Sequence, residues 1–566
     1  MRKTLILLLL LVSAAWARAQ GPVVERTFVT TDRDVYLAGE TVWCSAFCVD
    51  AATGTLSQLS GTAFLEIHSA RGRVLEGKVA LSGGRGGGSI ALPQNLPTGN
   101  YRLIAYTSQN RNEQGYRYDG LCSKTLSVYN IFSRERVEES VQVVESLPAA
   151  PEMPADQGCL TLTLPDSFRC GEAFSLQIES PAAATLSVSV SHADGIPGNA
   201  NPAIPDFLAA LPSVGNPLFT GRVVPDYEGE IIRGRIVGFG SESRPALTDK
   251  YAFLSAPGNL SDIYASEIDS AGNLVFYTGN IYGQKELITE IEGIDPKLNC
   301  HVELESPFTA EGVTAPAPLK LCAGVAGILS ARAATMQIER RFMADTLLEY
   351  LPRRDNVLFE DNVGRRYHLD DYTRFPVMKE IFTEFVHEVT VRERAGVRTL
   401  HVTIQDGSSD PRFSRQRALV LLDGVPVFDH GKICDYDPLL VENIDIYPYI
   451  YFIGGRQFDG IVNFVTYKRT LPSMKFGNNV RVVNYQGVSY PTAYRRSAGV
   501  PENSAPASYP DYRQTAYWHP LVDLPAGGRI SLEGLLPDYP GDFTVTVEGM
   551  TADGRPLRAE RRISVR

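Results

Sequence analysis

The sequence contains few cysteines, few histidines and none of the common catalytic motifs. Its 566 residues include 8 cysteines and 8 histidines, scattered along the chain. So few cysteines exclude a disulfide-scaffolded miniprotein, and isolated histidines do not indicate a zinc site. The motifs HExxH, GxSxG and CxxC are missing, as is a phosphate-binding glycine loop followed by lysine. We therefore expect no enzymatic activity, no cofactor and no metal, although a hydrolase with an unrecognised site is an alternative.

Basic clusters and long apolar runs are also missing from most of the chain. Lysine and arginine number 54 against 65 acidic residues, giving a formal net charge of -11. A moderately acidic chain without basic patches is a poor nucleic-acid binder. Beyond the N-terminus no segment has the roughly 18 continuous apolar residues of a membrane span. The sequence thus predicts no nucleic-acid partner and no transmembrane segment after signal cleavage.

The N-terminus has the pattern of a secretory signal peptide. Arg2 and Lys3 precede an apolar run at 5–12, and Ala17 and Ala19 supply the small residues that a signal peptidase reads. We expect a signal peptide at 1–19 and an exported mature chain. Because no cysteine follows the cleavage point, a lipid anchor is not expected.

Residues 20–130 contain short strands separated by glycine, proline and asparagine turns, which is typical of a β-sandwich. The segments DRDVYLAGETVWCSAFCVD and LPQNLPTGNYRLIAYT resemble macroglobulin-type domains of the α2-macroglobulin superfamily. There a "D x x x Y x x G E x V" strand pair opens the sandwich and "P x G x Y" closes it. The resemblance implies a macroglobulin-type sandwich. Cys44 and Cys48 share a strand face, as a disulfide or as two buried thiols.

Residues 140–205 repeat part of this pattern after a linker rich in proline and alanine. They are predicted to form a second, partial macroglobulin-like sandwich. Cys170-Gly171-Glu172 resembles the start of the Cys-Gly-Glu-Gln thioester motif of that superfamily, but Ala173 occupies the glutamine position. A thioester therefore cannot form. Residues 225–330 alternate like another sandwich, and Asp269–Phe276 resembles a turn of carboxypeptidase-regulatory-like domains.

Residues 334–470 carry the most specific pattern of the chain. Helices are predicted at 334–351 and 377–389. Next come a strand ending in Asp-Gly, an Asp-Pro turn and the strand GIVNFVT. This order resembles the plug domain of TonB-dependent outer-membrane receptors, which implies a small α+β plug-like domain with the helices packed on its sheet. The motif residues are Asp423, Gly424, Asp437, Pro438, Glu442, Gly460 and Asn463.

A receptor barrel is not expected to accompany this domain. About 22 tilted strands of roughly 10 residues each would need more than about 200 residues after the plug. The sequence after Lys468 is shorter and is rich in proline, glycine and charge. The chain thus resembles envelope proteins of the Bacteroidota type that combine macroglobulin-type domains with a plug-like domain but no barrel.

Residues 471–514 form a Tyr/Pro-rich segment that is predicted to be extended. It could contact a partner, or it could lie as an arm over the protein's own surface. Residues 515–566 read as C-terminal sandwich strands that complete an earlier sandwich or pack on the plug-like domain. The candidate partner-contact residues are Tyr490, Tyr494, Arg495, Arg496, Tyr509 and Tyr512.

Together these patterns predict a mainly β fold, with several macroglobulin- or immunoglobulin-like sandwiches in tandem and one small α+β domain. The resemblances imply an exported protein of the periplasm or outer membrane. Its expected role is non-catalytic, as an accessory or docking component of TonB-dependent uptake, with an outer-membrane receptor or other envelope proteins as partners. The alternative is a macroglobulin-like protein that binds proteins or proteases without a thioester.

Overall fold

The computed structural model shows a mainly β fold, which confirms the predicted class. The chain divides into two compact units, Met1–Tyr227 with Phe308–Arg353 and Val488–Arg566, and Glu228–Pro307 with Arg354–Gly487. The predicted signal peptide at 1–19 lies outside the described residues. The structure describes residues 23–120, 123–133, 135–136, 141–147, 159–220, 224–238, 247–257, 262–279, 281–342, 348–351, 363–405, 412–495 and 510–566.

The first sandwich of the first unit packs a three-stranded sheet on a five-stranded sheet. Its core contains Val42, Ile67 and Tyr101, and the thiols of Cys44 and Cys48 are buried in the same core. The smaller sheet consists, in spatial order, of Glu25–Thr31, Thr41–Asp50 and Arg85–Ala91. The larger consists of Val35–Leu37, Lys124–Tyr129, Gly99–Thr107, Thr62–Ser69 and Gly72–Ala80.

The second sandwich combines strands that are far apart in sequence. Ala184 pairs with Thr551 and Ala173 pairs with Leu535, so the C-terminal strands complete this sandwich. One sheet consists of Thr161–Thr163, Ala173–Ser180 and Gly528–Leu535. The other consists of Ser167–Phe168, Pro556–Val565, Gly541–Thr551, Ala184–His192, Thr515–Leu524, Thr492–Arg495 and Leu348–Tyr350.

Short helices and one long helix surround these sheets. The long helix, Ala326–Phe342, packs Leu329, Ala333 and Met336 against the first sandwich. It begins earlier than the predicted helix at 334–351, because alanines and glycine give its first turns little hydrophobic contrast. The end of the predicted helix is also wrong, since Leu348–Tyr350 is a strand. The expectation that this helix packs on the plug-like sheet is wrong. The remaining elements of the first unit are the helices Ser108–Arg111, Ile204–Ala210, Leu211–Ser213 and Ala323–Val325 and the strand pair Leu319–Leu321 and Val141–Val143.

The second unit contains another sandwich. Its last strand, Val480–Gln486, comes from the segment predicted to be extended, and it pairs with Gln284–Ile291. One sheet consists of Asn273–Tyr277, Ile231–Val237 and His301–Leu304. The other consists of Ile263–Glu267, Tyr251–Ser255, Gln284–Ile291 and Val480–Gln486.

The plug-like region of the second unit forms a five-stranded and a three-stranded sheet around one core. Helix Met378–Glu384 contributes Met378, Ile381 and Phe382 to this core. The larger sheet consists of Arg365–His368, Val441–Ile453, Arg456–Thr466, Leu419–Leu422 and Val425–Pro426. The smaller consists of Val389–Arg394, Val397–Ile404 and Arg412–Phe413. Short helices are Leu369–Asp371, His430–Cys434 and Pro438–Leu440.

Within the described ranges, none of the helices has both the length and the apolar character needed to cross a bilayer.

Candidate functional site

The Asp-Gly turn of the plug-like motif is a buried hydrogen-bonding centre. Asp423 and Gly424 both have positive φ, 49° and 82°, as a type I′ hairpin turn requires. The Asp423 carboxylate accepts bonds from the Thr466 amide at 2.6 Å, the Thr466 hydroxyl at 2.7 Å and the Leu471 amide at 2.9 Å. Asn463 accepts a bond from the Gly424 amide at 3.2 Å. These motif residues therefore join one strand end to the next.

The other motif residues also hold the fold together. Asp437 caps the short helix that Pro438 begins, accepting the Leu439 amide at 2.9 Å. Glu442 lies 3.7 Å from Arg469. Gly460 has φ of 88°, and a Cβ there would lie 2.7 Å from Cβ of Val402. The motif residues thus contribute to the architecture of the domain.

The tyrosines proposed to contact a partner occupy different environments. Tyr494 is buried, its ring stacks on Trp43 at 5.4 Å, and its hydroxyl donates to Glu339. The structure contradicts a contact role for this side chain because it fills the interior of the first unit. Tyr490 and Tyr512 are half-buried. Arg496, Tyr509 and the side chain of Arg495 lie outside the described residues.

An apolar surface is present on the long hairpin formed by Val441–Ile453 and Arg456–Thr466. Ile450 and Phe452 are 48% and 69% exposed, and we call these two residues the apolar strip, while the neighbouring Tyr449 is 42% exposed. Alternation along the strand places Ile450 and Phe452 on one face. The cross-strand partners of these two, Asp459 and Gln457, are polar. The sequence YPYIYFI contains these residues, but its aromatic content equally fits a buried strand.

The apolar strip is on a hairpin that the second unit holds firmly. Gly454 at the turn has φ of 56°, and a Cβ there would lie 2.0 Å from the carbonyl oxygen of Ala265. Arg456 donates two bonds to Glu292, each 2.9 Å long. Burial raises the pKa of Glu292, but Arg456 and Arg417 outweigh it, so the pKa is lowered and the carboxylate stays charged. The exposed strip is therefore presented by a pre-organised backbone.

The described residues contain no cluster of three or more histidine, cysteine or acidic side chains that could hold a metal. Burial raises the pKa of Cys44 to about 12 and that of Cys48 well above its usual value. None of the seven described cysteines is in a disulfide, so the pair at 44 and 48 is present as buried thiols. Neither thiol has the character of a nucleophile.

The first sandwich is a macroglobulin-type domain. Residues 26–118 match the family described as MG2 domain, which confirms the prediction made from its strand and turn pattern. No curated protein matches the chain.

Several solved structures match the chain at low similarity. Escherichia coli alpha-2-macroglobulin activated by porcine elastase is 10% identical, with 96% of this chain and 44% of that chain covered and a TM-score of 0.24. Salmonella alpha-2-macroglobulin reacted with methylamine is 10% identical, with 97% and 40% covered and a TM-score of 0.24. The Escherichia coli adhesin FdeC is 11% identical, with 48% and 60% covered and a TM-score of 0.13. The chain spans less than half the length of these macroglobulins, and similarity at this level does not support a shared activity.

Proposed function

We propose that this chain is a non-catalytic, exported protein that acts as a docking component of TonB-dependent uptake at the outer membrane. The observation that carries the proposal is the exposed apolar strip on the plug-like domain. Large apolar side chains at neighbouring exposed positions are characteristic of protein contact surfaces. The proposed partner is an outer-membrane uptake receptor, because the domain that presents the strip resembles the plug of such receptors.

The geometry of the hairpin supports docking rather than catalysis. Its backbone is fixed by the close approach of Gly454 to Ala265 and by the Arg456–Glu292 pair. A fixed surface loses little conformational entropy when a partner binds, which favours affinity. In this proposal the macroglobulin-type sandwiches act as spacers that present the docking domain.

Co-purification from outer membranes tests this proposal. The tagged chain is cross-linked in cells of its natural host, purified in detergent, and its partners are identified by mass spectrometry. The double variant I450S/F452S should lose the receptor and keep its fold, because both side chains are exposed. Leu439→Ser is the matched control, since Leu439 is 61% exposed and precedes the opposite end of the same strand. Recovery of no receptor, or equal recovery with both variants, would contradict the proposal.

A macroglobulin-like role in binding proteins or proteases is the second candidate. The MG2 match over residues 26–118 favours it. Ala173 begins a strand at the position where a thioester would need glutamine, so any capture would be non-covalent. Incubation with a panel of proteases, followed by native electrophoresis, distinguishes the candidates. A stable complex or a change in mobility after limited cleavage would favour this candidate over receptor docking.

A further inference from the structure

The second unit contains a cavity of about 290 Å³ beside the sandwich strand Gln284–Ile291. Apolar side chains form most of its wall, including Pro296, Phe428, Met474 and Phe476. Glu290 faces the cavity from the strand, and Lys432 and Asp429 line it from helix His430–Cys434 and its N-cap. The volume is near the lower end of the range of roughly 300–1,000 Å³ found for small-ligand sites. We call this cavity the Glu290 pocket.

Most charged groups of the Glu290 pocket already have close partners. Lys432 donates to the carbonyl of Lys475 at 2.9 Å, and Arg417 pairs with Glu292. Asp429 accepts the Gly431 amide at 3.1 Å as the helix cap. Among the described residues, the side chain of Glu290 accepts one long hydrogen bond, 3.4 Å from the Asn479 amide nitrogen. Glu290 is therefore the group whose bonding capacity is least satisfied.

Electrostatics in the pocket lead to the same residue. Burial raises the pKa of Glu290 to about 7, against the opposing effects of Lys432 and the Asn479 hydrogen bond, and Asp429 raises it further. Arg417 also lines the pocket, but its charge is balanced by Glu292. A carboxylate in this position is stabilised by a cation or a strong donor placed next to it. Among the described residues, no lysine, arginine or histidine forms an ion pair with Glu290, although Lys432 lines the same pocket.

We propose that the Glu290 pocket binds a cationic group, an alkylammonium or a guanidinium, carried on an apolar stem. Glu290 supplies the anion, and Phe428 and Phe476 supply aromatic surface against which the stem and the cation can pack. An anionic ligand would meet the carboxylates of Glu290 and Asp429, whereas the two cations of the wall are already engaged, Arg417 by Glu292 and Lys432 by the Lys475 carbonyl. A purely apolar ligand would leave Glu290 unpaired. The ligand is either a free amine or a basic side chain of a peptide. This site is separate from the apolar strip, so the proposal does not depend on receptor docking.

Calorimetric titration of the full mature chain tests the proposal. At pH 8 agmatine and n-butylammonium should bind with one site per chain, whereas butyrate and n-butanol should not. Glu290→Gln should weaken cation binding at least about tenfold. Glu286→Gln, which removes the same charge from an exposed position of the same strand, should leave binding unchanged. Equal binding of butanol and butylammonium, or full binding by the Glu290→Gln variant, would overturn the proposal.

Two further measurements separate a binding role from a structural one. Lys432→Met removes a repulsive cation and should tighten ammonium binding, an effect opposite in sign to that of a damaged pocket. Affinity should fall as pH decreases from 8 to 6, by up to about tenfold for each unit below the pKa of Glu290. A weaker Lys432→Met variant, or affinity independent of pH, would count against the proposal.

The source of the cation is decided by comparing free and peptide-borne groups. Acetyl-Ala-Lys-Ala-amide and acetyl-Ala-Arg-Ala-amide are titrated beside the free amines, with acetyl-Ala-Gln-Ala-amide as the neutral control. Binding of the basic peptides indicates a basic side chain of a protein partner, and binding of the amines alone indicates a small-molecule ligand. Binding of neither class at millimolar concentration rejects the site.

Discussion

The Arg332 cluster of the first unit is buried and fully paired, whereas Glu290 in the pocket of the second unit is partly buried and incompletely paired. Arg332 lies 2.8 Å from Glu40 and 2.8 Å from Asp194, and it donates to the carbonyl of Val35 at 2.7 Å. Every charge there meets a fixed partner. Among the described residues, Glu290 accepts one long hydrogen bond, from the Asn479 amide, and it faces a cavity. The completeness of pairing therefore separates the structural charge of Arg332 from the charge that we propose to bind a ligand.

The pKa values show the same contrast. Burial raises the pKa of Glu40, but Arg33 and Arg332 outweigh it, so the pKa is lowered. For Glu290 burial prevails and the pKa is raised to about 7. The charged form of a fully paired carboxylate depends on the partners that the fold supplies. The charged form of an incompletely paired carboxylate can be stabilised by a cationic ligand.

Removing Arg332 should have the largest effect. Arg332→Met leaves Asp194 without its cation and Glu40 with only Arg33, so we expect the first unit to lose about 3 kcal/mol of stability. Denaturation followed by tryptophan fluorescence measures this, because Trp43 and Trp518 both belong to the first unit. Arg340→Met changes an exposed arginine of the same helix and should cost less than about 1 kcal/mol. Equal losses would show that pairing does not decide the role of a charge.

The second-largest loss of stability is expected on substitution of Asp423 in the plug-like domain. Asp423→Ala leaves the amides of Thr466 and Leu471 without their acceptor and places alanine at φ of 49°, so we expect a loss of about 2–3 kcal/mol. Cys434 is buried in the same core, and its rate of thiol labelling, resolved by peptide mass spectrometry, reports opening of this domain. Asp437→Ala removes only an exposed helix cap and should accelerate labelling far less. Similar rates of Cys434 labelling in the two variants would contradict the expected difference in stability.

The sequence predicts local features of this fold better than distant pairings. The Asp-Gly turn at 423–424 is recognisable because its positive φ angles favour those residues. The strands of the first sandwich are recognisable because turn residues separate them. By contrast, Ala184 pairs with Thr551 across more than half of the chain, and no local pattern specifies such a partner. The helix at Ala326–Phe342 was misplaced because its buried face uses alanine as well as leucine and methionine.

The pH dependence of the Glu290 pocket provides the next comparison. The folded pKa of Glu290, about 7, is above its usual value, so the folded state binds more protons than the unfolded state between about pH 4.5 and 7. Stability from this group is therefore present at low pH and lost as pH rises through 7. Allowing for partial exposure, we expect Glu290→Gln to stabilise the second unit by about 2 kcal/mol at pH 8 and by almost nothing at pH 4. Cys434 labelling measures it, and a stabilisation independent of pH would contradict the assignment.

No local sequence pattern locates the Glu290 pocket. Glu286 and Glu290 are four residues apart on one strand and have the same local pattern, yet one is exposed and the other faces a cavity. The cavity is made by Phe428, Met474 and Phe476, which are distant in sequence. Likewise, Tyr494 belongs to a segment whose composition suggests an exposed loop, and only its contacts with Trp43 and Glu339 show that it is interior.

The smallest effect is expected for Tyr494, and it directly tests whether this side chain is interior, as its contacts show, or exposed, as its segment's composition suggests. Its hydroxyl donates to Glu339, whose pKa burial raises to about 7, with Glu40 raising it further and Arg33 and Arg513 opposing the rise. Tyr494→Phe removes one donor from this carboxylate and should cost about 1 kcal/mol at pH 8, where the group is charged, and less at pH 5. The stacking on Trp43 is retained, so tryptophan fluorescence can follow unfolding. Tyr490→Phe, in the same segment, is the matched control. A partner-contact role for Tyr494 would instead leave stability unchanged in both variants, because a hydroxyl that faces a partner contributes nothing to folding of the isolated chain.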